Sequence, residues 1–191
     1  METMPLTTPL NDLLARRWSP RDYDPKPIEA ALLRSLFEAA RSSFSCFNEQ
    51  PWRFIIATKD EPENYERILD TLVPPNQAWA KNAYVLGISF GRKNFTHNEK
   101  PNRYNLHDVG AALMAMAVQA TEHNLYVHGM GGYDPQKAID LGMPDGYEPG
   151  SAFAIGHLRE GVSRPETKRK PLSELFLAPG WTPVSGLASE V

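Results

Sequence analysis

The order of periodic segments predicts the fold class: helix, helix, strand, helix, strand, long helix, strand, helix, strand. Strands joined through helices make a layered α/β or α+β domain. The strands are few and unevenly spaced, whereas a regular doubly wound sheet would alternate more strictly. The length of 191 residues fits one domain over residues 1–191, with enough chain to bury a sizeable core. The sequence has 17 prolines, several of them near the ends (Pro5, Pro9, Pro20, Pro25, Pro27; Pro165, Pro171, Pro179, Pro183). The terminal segments 1–9 and 177–191 are therefore expected to be extended tails. A long extended tail on a small domain often wraps a second subunit.

Each element has its own signal. Leu10 to Arg17 (LNDLLARR) reads as a short helix that stops before Ser19-Pro20, because the residue before a proline avoids the α region. Ile28 to Arg41 is amphipathic: Leu32, Leu33, Leu36, Phe37 and Ala40 follow the three-four spacing, and Pro27 precedes them where a missing N–H does no harm. Trp52 to Thr58 (WRFIIAT) reads as a strand, Asn64 to Leu72 as a helix and Ala83 to Phe90 (AYVLGISF) as a second strand. Tyr104 to His123 is the longest helix signal. Its middle, VGAALMAMAVQA, is apolar on almost every side, which places it in the domain centre. Asn105 or Asp108 is suited to cap its start. Its small residues (Gly110, Ala111, Ala112, Ala115, Ala117) would let another helix, or a flat cofactor, come close. Tyr126 to Tyr133 is extended and ends in GMGGY, Pro135 to Leu141 is a short helix stopped by Gly142, and Ser151 to Leu158 is the last strand.

Composition narrows the function classes. Hydrophobic residues make up 41% and charged residues 23%, as in ordinary globular proteins. A net charge of -3 argues against a nucleic-acid partner, since backbone binders carry a basic excess. No apolar run approaches membrane-spanning length. METMPLTTPL lacks the basic start and long apolar stretch of a signal peptide. A single cysteine, Cys46, excludes an internal disulfide and fits a reducing compartment, so the reading is cytoplasmic.

Four groups of residues can carry chemistry. Arg16-Arg17-Trp18-Ser19-Pro20-Arg21 sets guanidiniums and a hydroxyl where a helix gives way to extended chain. Planar guanidinium forks match a phosphate, although a charge run is also what a solvated face looks like. Lys168-Arg169-Lys170 gains meaning only if the fold carries it to the first cluster, because a phosphomonoester holds close to two negative charges. In SSFSCFNEQPWRF, Asn48 and Gln50 each offer an acceptor and a donor. That pairing suits a flat heterocycle with an alternating edge, and it equally suits local backbone groups in a loop. In Gly129-Met130-Gly131-Gly132 the adjacent glycines let main chain lie against a planar ligand; alone, they also make a simple turn. They are not a dinucleotide fingerprint, which needs a third glycine three residues after the second. The histidines show no HExxH spacing, which argues against zinc, and no G-x-S-x-G or P-loop is present.

Taken in order, these motifs resemble the nitroreductase family of FMN-dependent oxidoreductases. Arg17-Trp18-Ser19-Pro20-Arg21 with Tyr23 is similar to the family's Arg-x-Ser-x-Arg/Lys before an aromatic. Ser45, Asn48, Gln50, Pro51 and Trp52 match Ser-x-x-Asn-x-Gln-Pro-Trp before a strand. Gly131-Gly132-Tyr133-Asp134 matches a glycine turn before an aromatic-Asp pair, and Arg169 a late basic residue near a proline. The agreement runs from about Leu10 to Leu175. Ser43-Phe44 stands where the family often has Ala-Pro, and Cys46 where Ser or Ala is common. The resemblance implies an α+β fold, a mixed sheet flanked by helices, with extended termini embracing the second subunit of a homodimer and FMN at the subunit interface.

The resemblance also implies roles. Arg17 and Ser19, with Arg16 and Trp18 beside them, would hold the phosphate together with Arg169. Arg21 would be the cation near flavin N1 and O2. Ser45, Cys46 and Asn48 would come from the partner subunit, and Gln50 would also bind the cofactor. Asn76, in PPNQAW, would touch the flavin edge, and Met130, Gly131 and Gly132 would face the ring, with Gly131 near N5. No side chain need act as a nucleophile, because the cofactor carries the chemistry. The implied reaction moves hydride from NADH or NADPH through flavin N5 to nitroaromatic, quinone or related small acceptors. The alternatives are a flavin-binding redox sensor or storage protein without significant turnover, and a flavin-free interaction domain.

Overall fold

A computed structural model describes residues 9–184 of the chain. These residues form two compact units: Arg16–Val162, and a smaller one made of the chain up to Ala15 and from Ser163 onward. The helix α1 (Asp12–Arg16) leads into the larger unit. There follow β1 (Tyr23–Asp24), α2 (Ala30–Arg41), a short 3₁₀ turn (Cys46–Asn48), β2 (Trp52–Thr58), α3 (Pro62–Thr71), α4 (Pro74–Ala80) and β3 (Val85–Arg92). Then come α5 (Asn105–Glu122), β4 (Leu125–Met130), α6 (Pro135–Ile139) and β5 (Tyr147–Leu158).

The class is α+β, as expected. The five-stranded sheet has the order β1-β5-β3-β2, with β4 on the other edge of β5. Among the described residues the sheet is antiparallel rather than mixed. The reason lies in the connections. The chain leaves β2 at Thr58, makes α3 and α4, and returns at Val85, which pairs with Thr58. It leaves β4 at Met130, makes α6, and β5 comes back to pair Ala152 with Met130. These two excursions each return to the end of the strand they left, which gives antiparallel neighbours, whereas α5 carries the chain from β3 across β5 to β4.

Helices cover both faces. On one face α2 and α5 enclose Leu36, Ala40, Met116, Ala120, Phe153 and Ile155. On the other face, Tyr65, Ile68, Ala80 and Ala138 pack against Leu86, Ile88, Phe90 and Ala154. β3 is buried from Val85 through Gly91, which is why it reads as one apolar run. Alternation along β4 sends Leu125 and Val127 toward α5 and Tyr126 and Met130 to the opposite face.

α5 departs from the expectation in three ways. Its buried small residues Ala112, Ala117 and Ala120 meet α2 and the sheet, so they admit a helix rather than a cofactor. It is also not covered all round: Leu106 is 41% exposed and Met114 42%, with exposed Gly110 between them at four-residue spacing. Neither Asn105 nor Asp108 caps its start; Tyr104 holds the N-cap position, and the Tyr104 N–H donates to Asn102 Oδ1 at 3.1 Å.

The smaller unit contains α7 (Leu172–Leu175) and a hairpin of β6 (Leu177–Ala178) with β7 (Thr182–Pro183). The expected extended tail therefore turns back within residues 177–184. Pro179-Gly180 explains the turn: Gly180 has φ +87°, and the Trp181 N–H closes it on the Ala178 carbonyl at 3.0 Å. The other parts of the expected tails, residues 1–8 and 185–191, lie outside the described residues.

Candidate functional site

Residues 17–22 belong to no helix or strand, yet they run in step with β4. Arg16 Nη2 lies 3.9 Å from Glu122 Oε2 at the end of α5. Trp18 packs edge-on against Tyr126, with centroids 6.1 Å apart and planes at 71°. Two residues on, the Pro20 carbonyl accepts a hydrogen bond from His128 Nδ1 at 2.7 Å. Residues two apart in the segment thus meet residues two apart in the strand. In an extended chain the intervening side chains point the other way. Pro20 is buried, Ser19 and Arg21 are exposed and Arg17 is half-buried. The Arg-x-Ser-x-Arg spacing thus alternates with Trp18 and Pro20, which favours a shared face for the three polar groups, with Arg17 as half-buried as Trp18.

His128 sits against this segment. Trp79 of α4 covers its ring at 4.5 Å, tilted by 35°. Burial holds the imidazole below its ordinary pKa of 6.5, and the charge of Arg21 adds to this, while hydrogen bonding to the main chain of Pro20 and Ser19 opposes it. Because a carbonyl can only accept, Nδ1 carries the proton.

β4 leads directly to the glycines. Met130 is buried and ends the strand, whereas Gly131 is exposed and a Cβ placed there would meet nothing within 4 Å. Gly132 is confined. Its carbonyl accepts from Asn76 Nδ2 at 3.0 Å and from the Val73 N–H at 3.1 Å. A Cβ at Gly132 would come within 2.7 Å of Asn76 Nδ2 and 2.9 Å of Val73 Cγ2, so any side chain there would push Asn76 or Val73 out of place. Asn76 is accordingly brought to the turn, where its amide fixes the main chain. Tyr133 follows, donating its hydroxyl to the Gly150 carbonyl at 2.9 Å, and Asp134 caps α6.

The loop from Ser42 to Gln50 is held elsewhere. The Cys46 N–H donates to Asp108 Oδ2 at 2.9 Å near the start of α5. Ser45 Oγ accepts from the Gln50 N–H at 3.0 Å, and Gln50 Nε2 donates to the Asn48 carbonyl at 3.2 Å. The carboxamide of Gln50 thus serves its own loop. Phe47, Asn48 and Gln50 all have left-handed backbone, with φ of 54°, 54° and 49°. Glu49 secures the bend by accepting from the Thr96 N–H at 2.9 Å and Oγ1 at 3.1 Å. Asn48 and Gln50 remain exposed, as do the rings of Phe44 and Phe47.

The chain therefore brings together Arg16 to Arg21, Met130, Gly131, Gly132 and Asn76 along β4, and it anchors Ser45, Cys46, Asn48 and Gln50 at another place. Arg16 contacts one end of α5 and Cys46 the other. At about 1.5 Å per residue, Asp108 and Glu122 are about 21 Å apart along the helix. Arg169 belongs to the smaller unit, where its Nη1 donates to the Lys168 carbonyl at 3.2 Å. Two surface cavities, of about 450 and 520 Å³, lie beside Lys93, Asn102 and Glu148 and beside Arg34, Glu38 and Gln119; neither includes a site residue named above. Among the described residues no group of His, Cys, Asp and Glu is placed to hold a metal ion.

Sequence reasoning missed His128, Trp79 and Asp108. Alternation in LYVHGM puts His128 on the face of Tyr126, and an acid inside an otherwise apolar helix marks Asp108; both signals were present. Trp79 sits in a seven-residue helix, opened by two prolines, where the sequence reading placed no element.

Comparison with known proteins gives a consistent result. A family model described as the nitroreductase family matches residues 14–86. An uncharacterized 15.4 kDa protein of Mycolicibacterium smegmatis is 33% identical over 69 residues, 36% of this chain and 47% of that protein, so the match spans about half that relative's length. A solved oxidoreductase containing FMN superposes with a TM-score of 0.84 at 33% identity, over 93% of this chain and 95% of its own. Two more distant structures share the fold. One, from Exiguobacterium sibiricum and solved in complex with FMN, has a TM-score of 0.76 at 21% identity, covering 92% of this chain and 99% of its own. The other, a nitroreductase family protein from Clostridium difficile, has 0.71 at 22%, covering 92% and 99%.

Proposed function

The chain belongs to the nitroreductase family, and from that premise we propose that it is an FMN-dependent oxidoreductase using NADH or NADPH to reduce nitroaromatic, quinone or related small acceptors. One observation carries the reading: the Arg17–Ser19–Arg21 face and the Gly131–Gly132 turn are set along a single strand, β4, with Asn76 fixing the turn.

The residues present fit that cofactor. Guanidiniums and a hydroxyl on one outward face are the donor set a phosphate needs. The open space beside Gly131 is room that a side chain would fill and a planar ring can use. Bound FMN would supply the hydride chemistry. In this reading Arg17 and Ser19 bind the phosphate, and Arg16 and Trp18 shape that end. Arg21 places a fixed positive charge where reduction builds negative charge, which favours the reduced state. Met130, Gly131 and Gly132 keep the main chain flat beneath the ring.

A second copy of the chain completes the site. The loop of Ser45, Cys46, Asn48 and Gln50 is anchored about 21 Å along α5 from Glu122, the partner of Arg16, so a neighbouring copy is what would bring it to the arginines. The exposed stripe Leu106–Gly110–Met114 is an apolar helix face of the kind that pairs with its twin. No helix among the described residues is long and apolar enough to cross a membrane.

The absorption spectrum of the purified protein tests this. The expected protein is yellow and bleaches on adding NADPH or NADH without oxygen. A flavin that stays oxidised with both donors would contradict the reading.

A further inference from the structure

We propose that His128 is a positioning residue for the anion-binding segment: its Nδ1–H holds the Pro20 carbonyl and thereby fixes the Arg17–Ser19–Arg21 face in register with β4. This rests on the FMN reading above. Three observations carry it. First, residues 17–22 have no strand or helix of their own; the Arg159 N–H reaches the Asp22 carbonyl at 3.2 Å at one end, and His128 bonds the main chain at the middle. The 2.7 Å bond from His128 to Pro20 joins residues 108 apart in the chain, in the middle of the Arg-x-Ser-x-Arg pattern.

Second, the imidazole is itself held. Trp79 lies over it at 4.5 Å, and Trp79 in turn stacks on buried Tyr23 at 6.2 Å and 24°. Tyr23 is paired to Leu158 of β5, so the ring is braced from the sheet as well as from α4. Third, the same short helix sets the other end of the site, because Asn76 of α4 bonds the Gly132 carbonyl. Gly131 follows the end of β4, three residues after His128, about 10 Å at the usual strand rise. A ligand held at one end by the arginines and at the other by the glycine turn therefore feels any slip of the segment along β4. His128 prevents that slip without touching the ligand.

The test compares FMN affinity, read from quenching of flavin fluorescence, in the wild type, His128→Phe and His128→Asn. Phenylalanine keeps a ring against Trp79 but has no donor. Asparagine loses the ring but places an amide N–H close to where Nδ1 stood. His128→Phe should bind FMN about 3- to 12-fold more weakly, the effect of losing one hydrogen bond. His128→Asn should bind within about twofold of the wild type. Wild-type affinity in His128→Phe would overturn the inference, and so would equal losses in both variants, since the ring alone would then matter. A wild-type protein that takes up no FMN would overturn the family reading and this inference together.

Discussion

Arg17, Ser19 and Arg21 alternate with Trp18, which packs on Tyr126, and with buried Pro20, whose carbonyl accepts from His128. That alternation gives each guanidinium a direction, and it makes the consequence of removing one specific. Arg17→Ala should weaken FMN binding by about 1.5–3 kcal/mol, the range for a hydrogen bond to a charged group. An FMN titration checks this, and unchanged affinity would remove Arg17 from the phosphate site. Histidine protonation supplies a second residue-scale expectation. Burial lowers the pKa of His128 and of His157 from 6.5, with Arg21 and Lys26 respectively adding to the effect. For both, the folded state binds fewer protons than the unfolded state just below 6.5, so stability rises with pH there and is lost as pH falls through that window. The melting temperature should therefore drop on acidification below 6.5, and His157→Asn should flatten the drop. A slope identical to the wild type would show that His157 does not contribute.

At the scale of elements, α5 is a spacer with a different tether at each end. Asp108 is buried, and its carboxylate accepts from the Cys46 N–H and lies 2.9 Å from His107 Nδ1. Asp108→Ala should cost about 1–3 kcal/mol in stability, because it leaves the Cys46 N–H without its acceptor. Urea unfolding measures this, and an unchanged midpoint would mean that the loop holds itself. The same elements show what sequence reveals. β2 was legible residue for residue because WRFIIAT is a compact run of strand formers with turn residues on both sides, and α2 and α5 because their spacing repeats over several turns. α4 was not legible: PPNQAWA is seven residues long and opens with two prolines, which read as a loop although they occupy the first positions of a helix, where a missing N–H is harmless. The left-handed Phe47, Asn48 and Gln50 were equally hidden, since no glycine marks them and the bends depend on Glu49 reaching Thr96. The arginine segment and the glycine turn stood out as motifs. Their meeting along β4 did not, because His128 and Pro20 are joined by the fold alone.

For the whole molecule, the proposal turns on a chain that carries two half-sites and leaves an apolar helix stripe exposed between their anchors. Met114→Glu puts a charge into that stripe. The variant is expected to shift toward a monomer in sedimentation and to lose FMN with it; a dimer that keeps its flavin would place the interface elsewhere. The most direct measurement counts tight FMN sites in a mixed dimer, assembled from one Arg17→Ala chain and one Asn48→Gly chain and isolated through two different tags. Glycine at 48 removes the carboxamide while accepting the left-handed backbone. If each site draws Arg17 from one copy and Asn48 from the other, one site carries both defects and its twin carries none. Half of the sites should then bind FMN with wild-type affinity. A mixed dimer with no site of wild-type affinity would contradict a flavin site shared between two copies.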